Sequence, residues 1–529
     1  LSTFHFPLST FHFSLSTFHF LPSARLSHLP LLDYLPMLTP AEELGLSGLN
    51  LESRLRKVFY GLPAETIVEL DDRMTSEAFR RSLIYTRHGE VEAIRVMLRP
   101  IGVMPDQLAY LHFVSLTILN ALKRLPDLYV QDFAIRKLVP LSEPEERWLW
   151  DSWGPSQRDN NPVFGRLDAM VEFTSPTWKE SLRFFEPNLC GVGGIHLGPT
   201  CEQMLVDVVL PEVTRHDGQL HMEVGQDLRE LFIQEVIDHL ETIGRAGRNV
   251  CFIEPKYSGD GPCEQEPLAE YFHERHGMTI THADPVELTL EKGEVYYEGT
   301  PVDIAYRDYE VRDLLALEAT GANLAPVRRL FAENRMVSSI GGDFDHKSCW
   351  EILTDPVLSQ RYFNADERQV FRRHVLWTRL LSDRQTSLPH GETGKLLDYV
   401  RREHERLVLK PNRSYGGDRV YIGHGLTQVE WDRAIDEALA SDEAWVVQRL
   451  ASIPVNEFPV VDEQGEVHVE PFYTVMGFAP TKYGVGIVGR ASQKQVVNVA
   501  QRGGMCGILV GRPIGKLVGP AQPARRGAD

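Results

Sequence analysis

Side chains recur near a 3.6-residue spacing through Asp106–Leu125, where Leu108, Leu111, Val114 or Ser115, Ile118, Leu119 and Leu122 share one face. Asp106, following a proline, marks a helix start there. A second amphipathic run, Asp227–Gly247, carries Leu228, Leu231, Phe232, Val236, Ile237 and Leu240 and leads into N-V-C-F-I-E-P, a short apolar strand. Glu266–His276 predicts another helix and M-T-I-T-H-A-D another strand, while E-V-Y-Y-E-G-T-P-V-D-I-A-Y-R predicts two strands about Glu298 and Gly299. Helices alternating with strands in this way predict an α/β subdomain with parallel pairing. Its last strand would end at Tyr306, Arg307 and Asp308, at the edge where open α/β sheets bind ligands. From Thr39 to Trp150 the pattern is mostly helical. It is helical again from Lys347 to about Glu405, after which L-V-L-K (407–410), V-Y-I-G (420–423) and A-W-V-V-Q-R-L (444–450) predict strands.

A chain of 529 residues exceeds what a single core usually holds, so two or three packed subdomains are expected. The formal charge of -19 argues against a nucleic-acid partner or an acidic membrane surface, and no run of 18 apolar residues predicts a membrane span. Six scattered cysteines without a C-x-x-C pair fit a reduced, cytoplasmic protein with buried thiols. The first 20 residues repeat L-S-T-F-H-F three times without helix formers, so residues 1–35 are expected to be a low-complexity tail. The last 17 residues, rich in Pro, Gly, Ala and Arg, are expected to be a disordered end.

Two constellations carry chemistry. In R-L-D-A-M, alternation puts Arg166, Asp168 and Met170 on one strand face, and Glu186 and Asn188 of F-F-E-P-N share a face likewise. Two carboxylates and an amide oxygen are hard ligands of the kind magnesium takes while it bridges nucleotide phosphates. Gly191, Gly193 and Gly194 follow, where backbone amides could approach a phosphate or an oxyanion. The second constellation is V-L-K-P-N-R-S-Y-G-G-D-R, a lysine at the end of an apolar strand before a loop bearing Gly416 and Gly417. It lacks the spacing of a P-loop, yet a lysine under a glycine-bearing loop suits nucleotide phosphates. Some 38 residues later the strand W-V-V-Q-R-L could offer its edge, with Gln448, to an adenine.

Together these motifs resemble the ATP-grasp superfamily, with R-x-D and E-x-N ahead of the phosphate lysine instead of after it. That inverted order is similar to circularly permuted ATP-grasp proteins, among them eukaryotic glutathione synthetase and bacterial proteins related to glutathionylspermidine synthase. V-D-I-A-Y-R-D (302–308), D-H-K-S-C-W-E-I-L (345–353), V-G-R-A-S-Q-K and R-G-G-M-C-G-I-L-V extend the likeness over about Asn161–Gly511. The resemblance implies Asp168, Glu186 and Asn188 as Mg2+ ligands, and Arg166 as a clamp on an oxyanion or acyl phosphate. It implies Lys347 and Lys410 on the ATP phosphates beneath Gly416 and Gly417, Gln448 at the adenine, and Arg307 and Arg490 facing a substrate carboxylate. Where eukaryotic glutathione synthetase has a metal-binding glutamate four residues after the lysine, this chain has Ser414, and Asp168 would then supply the missing carboxylate.

The expected fold is α/β (α+β): a circularly permuted ATP-grasp with an inserted α/β subdomain and a helical N-terminal region. The expected segments are the helical region 36–155, a metal-binding part 156–225, a substrate subdomain 226–340, a nucleotide-binding part 341–512 and a tail 513–529. The expected activity is ATP-dependent ligation of a small-molecule carboxylate to an amine through an acyl phosphate. A small-molecule kinase using the same site, or a nucleotide-binding regulatory protein with a degenerate site, are the alternatives. Loops 414–418 and 502–505 are the expected lids.

Overall fold

A computed structural model describes residues 40–257, 259–414, 419–494, 497 and 503–512, with side chains from residue 51 onward. The N-terminal repeat, residues 415–418 with Gly416 and Gly417, Arg502 and the 513–529 tail lie outside the described residues, whereas Gly504–Met505 of the second expected lid is a short strand paired with Arg490 and Ala491. Leu44–Asp529 forms one compact unit, and of the separate unit Leu1–Glu43 only residues 40–43 are described.

The fold is mixed α/β, and two antiparallel sheets define the site. One has six strands, with Gly484–Ser492, Val467–Thr481, Arg166–Met170 and Arg183–Asn188 as consecutive neighbours. The other has four, in the order Thr378–Leu380, Trp445–Arg449, Leu407–Pro411, Tyr421–Ile422. In both, alternation separates core from cavity. Leu167 and Ala169 are sealed in the core while Arg166 and Asp168 line the cavity; Leu407 and Leu409 are sealed while Val408 and Lys410 line it.

A third sheet, of four strands, is parallel throughout: Met336–Val337, Ile304–Arg307, Asn249–Ile253 and Thr279–Ala283. Helices Leu228–Thr242 and Gln265–His276 fall where the periodicity predicts them. The residues read as two strands about Glu298 and Gly299 are a small hairpin of Glu294–Tyr297 with Thr300–Pro301, and Ile304–Arg307 leaves it for the parallel sheet. Both turn residues have positive φ, 47° and 80°, the requirement of a two-residue hairpin turn. The expected helical stretch after Lys347 is interrupted by strands Thr378–Leu380, Gln385–Ser387 and Thr393–Lys395, each too short to print a period-2 pattern. All six cysteines are free, five of them buried. No helix among the described residues is long and apolar enough to cross a membrane.

Candidate functional site

Between the two antiparallel sheets lies a cavity of about 630 Å³. Its lining includes Arg166, Asp168, Glu186, Asn188, Lys347, Lys410, Gln448 and Arg490, residues far apart in sequence. Antiparallel pairing sets Asp168 opposite Glu186 and Arg166 opposite Asn188, while Asn188 donates its amide N–H to the Arg166 carbonyl at 3.2 Å. The register shifts between Asp168 and Ala169, because Phe185 is an extra residue with no partner across the strand. The bulge leaves the Phe185 carbonyl to bridge the sheets. It accepts from Gln448 Nε2 at 3.0 Å and from Lys410 Nζ at 3.3 Å.

Charges inside the cavity are paired unequally. Asp168 lies between two arginines, with Arg166 Nε 3.0 Å from Oδ1 and Arg490 Nη2 2.8 Å from Oδ2. Nε of Arg490 has no hydrogen-bond partner among the described residues. Burial opposes the charge on Asp168, yet the two guanidinium groups hold its pKa below the ordinary value. Glu186 is half-buried, and Lys347 and Lys410 outweigh its desolvation and the Asp168 charge and lower its pKa. Lys347 Nζ sits 2.9 Å from Glu186 Oε1 and donates to the Ser414 carbonyl at 2.6 Å. Lys410 has no such ion pair among the described residues. Burial, opposed by Glu186 and assisted by Lys347, lowers its pKa to about 8.

Several expectations need correcting. Arg307 does not face the cavity: it is fully buried and paired with Asp343 at 2.6 Å. It also donates to the carbonyls of Ser338 and Ser339 at 2.7 Å each, so it braces the ends of two parallel strands instead of offering donors to a substrate. Gln448 lines the cavity, but its amide N–H groups are taken by Phe185 and by Thr378 Oγ1 at 2.8 Å. Arg490 is at the cavity, facing Asp168. The glycine-rich turn is not an open phosphate cradle. The Glu264 carboxylate accepts the N–H groups of Gly194, His196 and Leu197 at 2.7, 2.8 and 3.1 Å.

Sequence reasoning passed over Glu264, and also Glu310 and Arg312, which line the cavity. The only local signal for Glu264 is an acidic residue just before a helix; its meeting with Gly194, 70 positions away, is set by the fold. No group of three or more His, Cys, Asp or Glu among the described residues is placed to hold a metal on its own. Glu186 and Asn188, two apart on one strand, could offer oxygens to a magnesium ion whose remaining ligands are phosphates and water. Asp168 fits that role less well, since both of its oxygens face arginines.

No family model matches the chain, and no curated protein matches its sequence. Among solved structures, a glutathione synthetase-like effector (GSS30) from Globodera pallida, in apo form, shares the fold with a TM-score of 0.53. The match covers 85% of this chain and 98% of that one at 11% identity, so the likeness is one of fold.

Proposed function

We propose that this protein is a circularly permuted ATP-grasp ligase that spends ATP to join a small-molecule carboxylate to an amine. One observation carries the reading: a single cavity between two antiparallel sheets has Lys347 and Lys410 toward one wall and Arg166, Asp168, Glu186, Asn188 and Arg490 on the other. The likeness in fold to a glutathione synthetase-like effector supports it.

In this reading Lys347 and Lys410 meet the ATP phosphates, and the apolar side chains of Met170, Leu376, Val408 and Ile422 pack about the adenine. Glu186 and Asn188 would hold magnesium, with Asp168 as the third candidate; the ion's part is to neutralise charge on the transferring phosphoryl group. Attack by the substrate carboxylate oxygen on the γ-phosphorus breaks the bond to the β-phosphate oxygen and releases ADP. The amine nitrogen then attacks the acyl carbon, phosphate departs with the C–O electron pair, and the nitrogen loses a proton to solvent. Arg166 and Arg490 face the oxygens on which negative charge develops, the arrangement that stabilises such steps most. Arg490, whose Nε lacks a hydrogen-bond partner among the described residues, keeps a donor for a new anion.

The test is incubation with ATP, magnesium and a pool of amino acids, peptides and polyamines, following ADP and new masses together. ADP release that requires an amine and yields an amide supports the ligase. Amine-independent release with a phosphorylated product makes the protein a kinase, and absence of nucleotide binding overturns both.

A further inference from the structure

The turn 191–197 separates two cavities. Gly191 and Gly193 line the one described above and also a second of about 730 Å³, which Glu264 lines as well. The peptide between Gly193 and Gly194 is held from both sides. Its carbonyl accepts from Arg166 Nη1 at 2.7 Å, and its N–H donates to Glu264 Oε2 at 2.7 Å. A trans peptide is planar, with C=O and N–H pointing in opposite directions, so fixing one end fixes the other. Glycine on both sides gives this peptide little intrinsic resistance to rotation, and Gly194 sits at φ +99°, open to glycine. Rotated, the peptide would aim its N–H at the Arg166 guanidinium. Glu264 prevents this, and its other oxygen ties down His196 and Leu197 at the start of helix Leu197–Met204, as an anion does at a helix N-terminus. Glu264 is 8% exposed, so water offers those amides little alternative.

We infer that Glu264 is a positioning residue for the proposed reaction: it orients the Gly193–Gly194 peptide so that the carbonyl holds Arg166 against Asp168. The inference rests on the ligase reading. Glu264→Ala would leave three N–H groups around an empty space that a small carboxylate can enter, so the test is rescue by formate, with neutral formamide as control. Expected for Glu264→Ala is a loss of about 10–100-fold in kcat for ATP turnover, the usual range for a residue that orients another. KM for ATP should stay within about threefold. Formate, and not formamide, should restore at least part of the lost kcat. A rise in melting temperature with formate while kcat stays low would show a merely structural carboxylate and overturn the inference. Glu264→Gln keeps the shape and decides the matter if the alanine variant does not fold: reduced kcat at unchanged KM supports the role, and wild-type kcat overturns it. Absence of ATP turnover in the wild-type protein removes the ligase reading and this inference together. Wild-type turnover with unaffected variants removes the inference alone.

Discussion

Asp168 and Glu186 face each other across neighbouring strands, yet they answer to different cations: Asp168 to Arg166 and Arg490, Glu186 to Lys347. The division assigns them different tasks. Asp168 holds the arginines of one wall in place, whereas Glu186 stands between that wall and the lysines that would meet phosphate.

Glu186→Gln therefore separates a metal ligand from a partner of lysines. As a ligand, its loss should weaken ATP binding in the presence of magnesium by about tenfold or more. Without magnesium the same variant should bind ATP more tightly than wild type, because Lys347 is released from its ion pair. Parallel nucleotide titrations with magnesium and with a chelator check both signs, and a variant indistinguishable from wild type in both removes Glu186 from the site.

Asp168→Ala should be costly to the fold as well as to turnover. Asp168 is 3% exposed, and its removal leaves two largely buried guanidinium groups uncompensated, a change that costs about 3–5 kcal/mol. Denaturant unfolding reads the stability loss directly; a loss below about 1 kcal/mol would show that neither arginine depends on it.

Arg307 separates a substrate arginine from a brace. Arg307→Met leaves Asp343 buried with Arg413 as its nearest remaining cation, 4.0 Å away, and should destabilise the protein by about 3–5 kcal/mol. Whatever folds should keep the wild-type KM for its carboxylate substrate. A large rise in KM at unchanged stability would return Arg307 to the substrate site.

How far these residues could be read in advance follows the range of the interactions involved. Helix Pro105–Leu122 and strands Leu407–Pro411 and Trp445–Arg449 lie within a few residues of their predicted limits, because each writes its burial into a local period. Alternation also predicts that Arg166 with Asp168, and Glu186 with Asn188, share a face. The bulge at Phe185, the capture of Gln448 by its carbonyl, and the pairing of Arg307 with Asp343 all depend on register and on contacts between distant segments. An arginine that braces a sheet and one that meets a substrate have the same local sequence. Strand Val467–Thr481, 15 residues long and central to the six-stranded sheet, went unseen, since its second half is buried on both faces and shows no alternation.

Lys410 offers the sharpest test, because stability and ligand binding should move in opposite directions. Its ammonium is buried and carries no ion pair among the described residues, and its pKa is lowered from 10.5 to about 8. The unfolded chain thus binds more protons than the folded one between about pH 8 and 10.5, so the lysine's contribution makes stability rise with pH across that window. Lys410→Met removes the buried charge and should stabilise the ligand-free protein at neutral pH by roughly 1–3 kcal/mol, while abolishing that part of the rise. ATP shows the opposite sign. Phosphates favour the protonated amine, so wild-type affinity should fall as pH passes upward through about 8, by up to tenfold per unit. Lys410→Met should bind ATP about 10–100-fold more weakly at neutral pH, the worth of a lost charge-assisted contact, and show a flatter profile. Thermal unfolding and nucleotide titration of both proteins across this range check the two signs together. A variant that is stabilised but binds ATP as well as wild type would make Lys410 a buried liability of the fold with no part in the phosphate site.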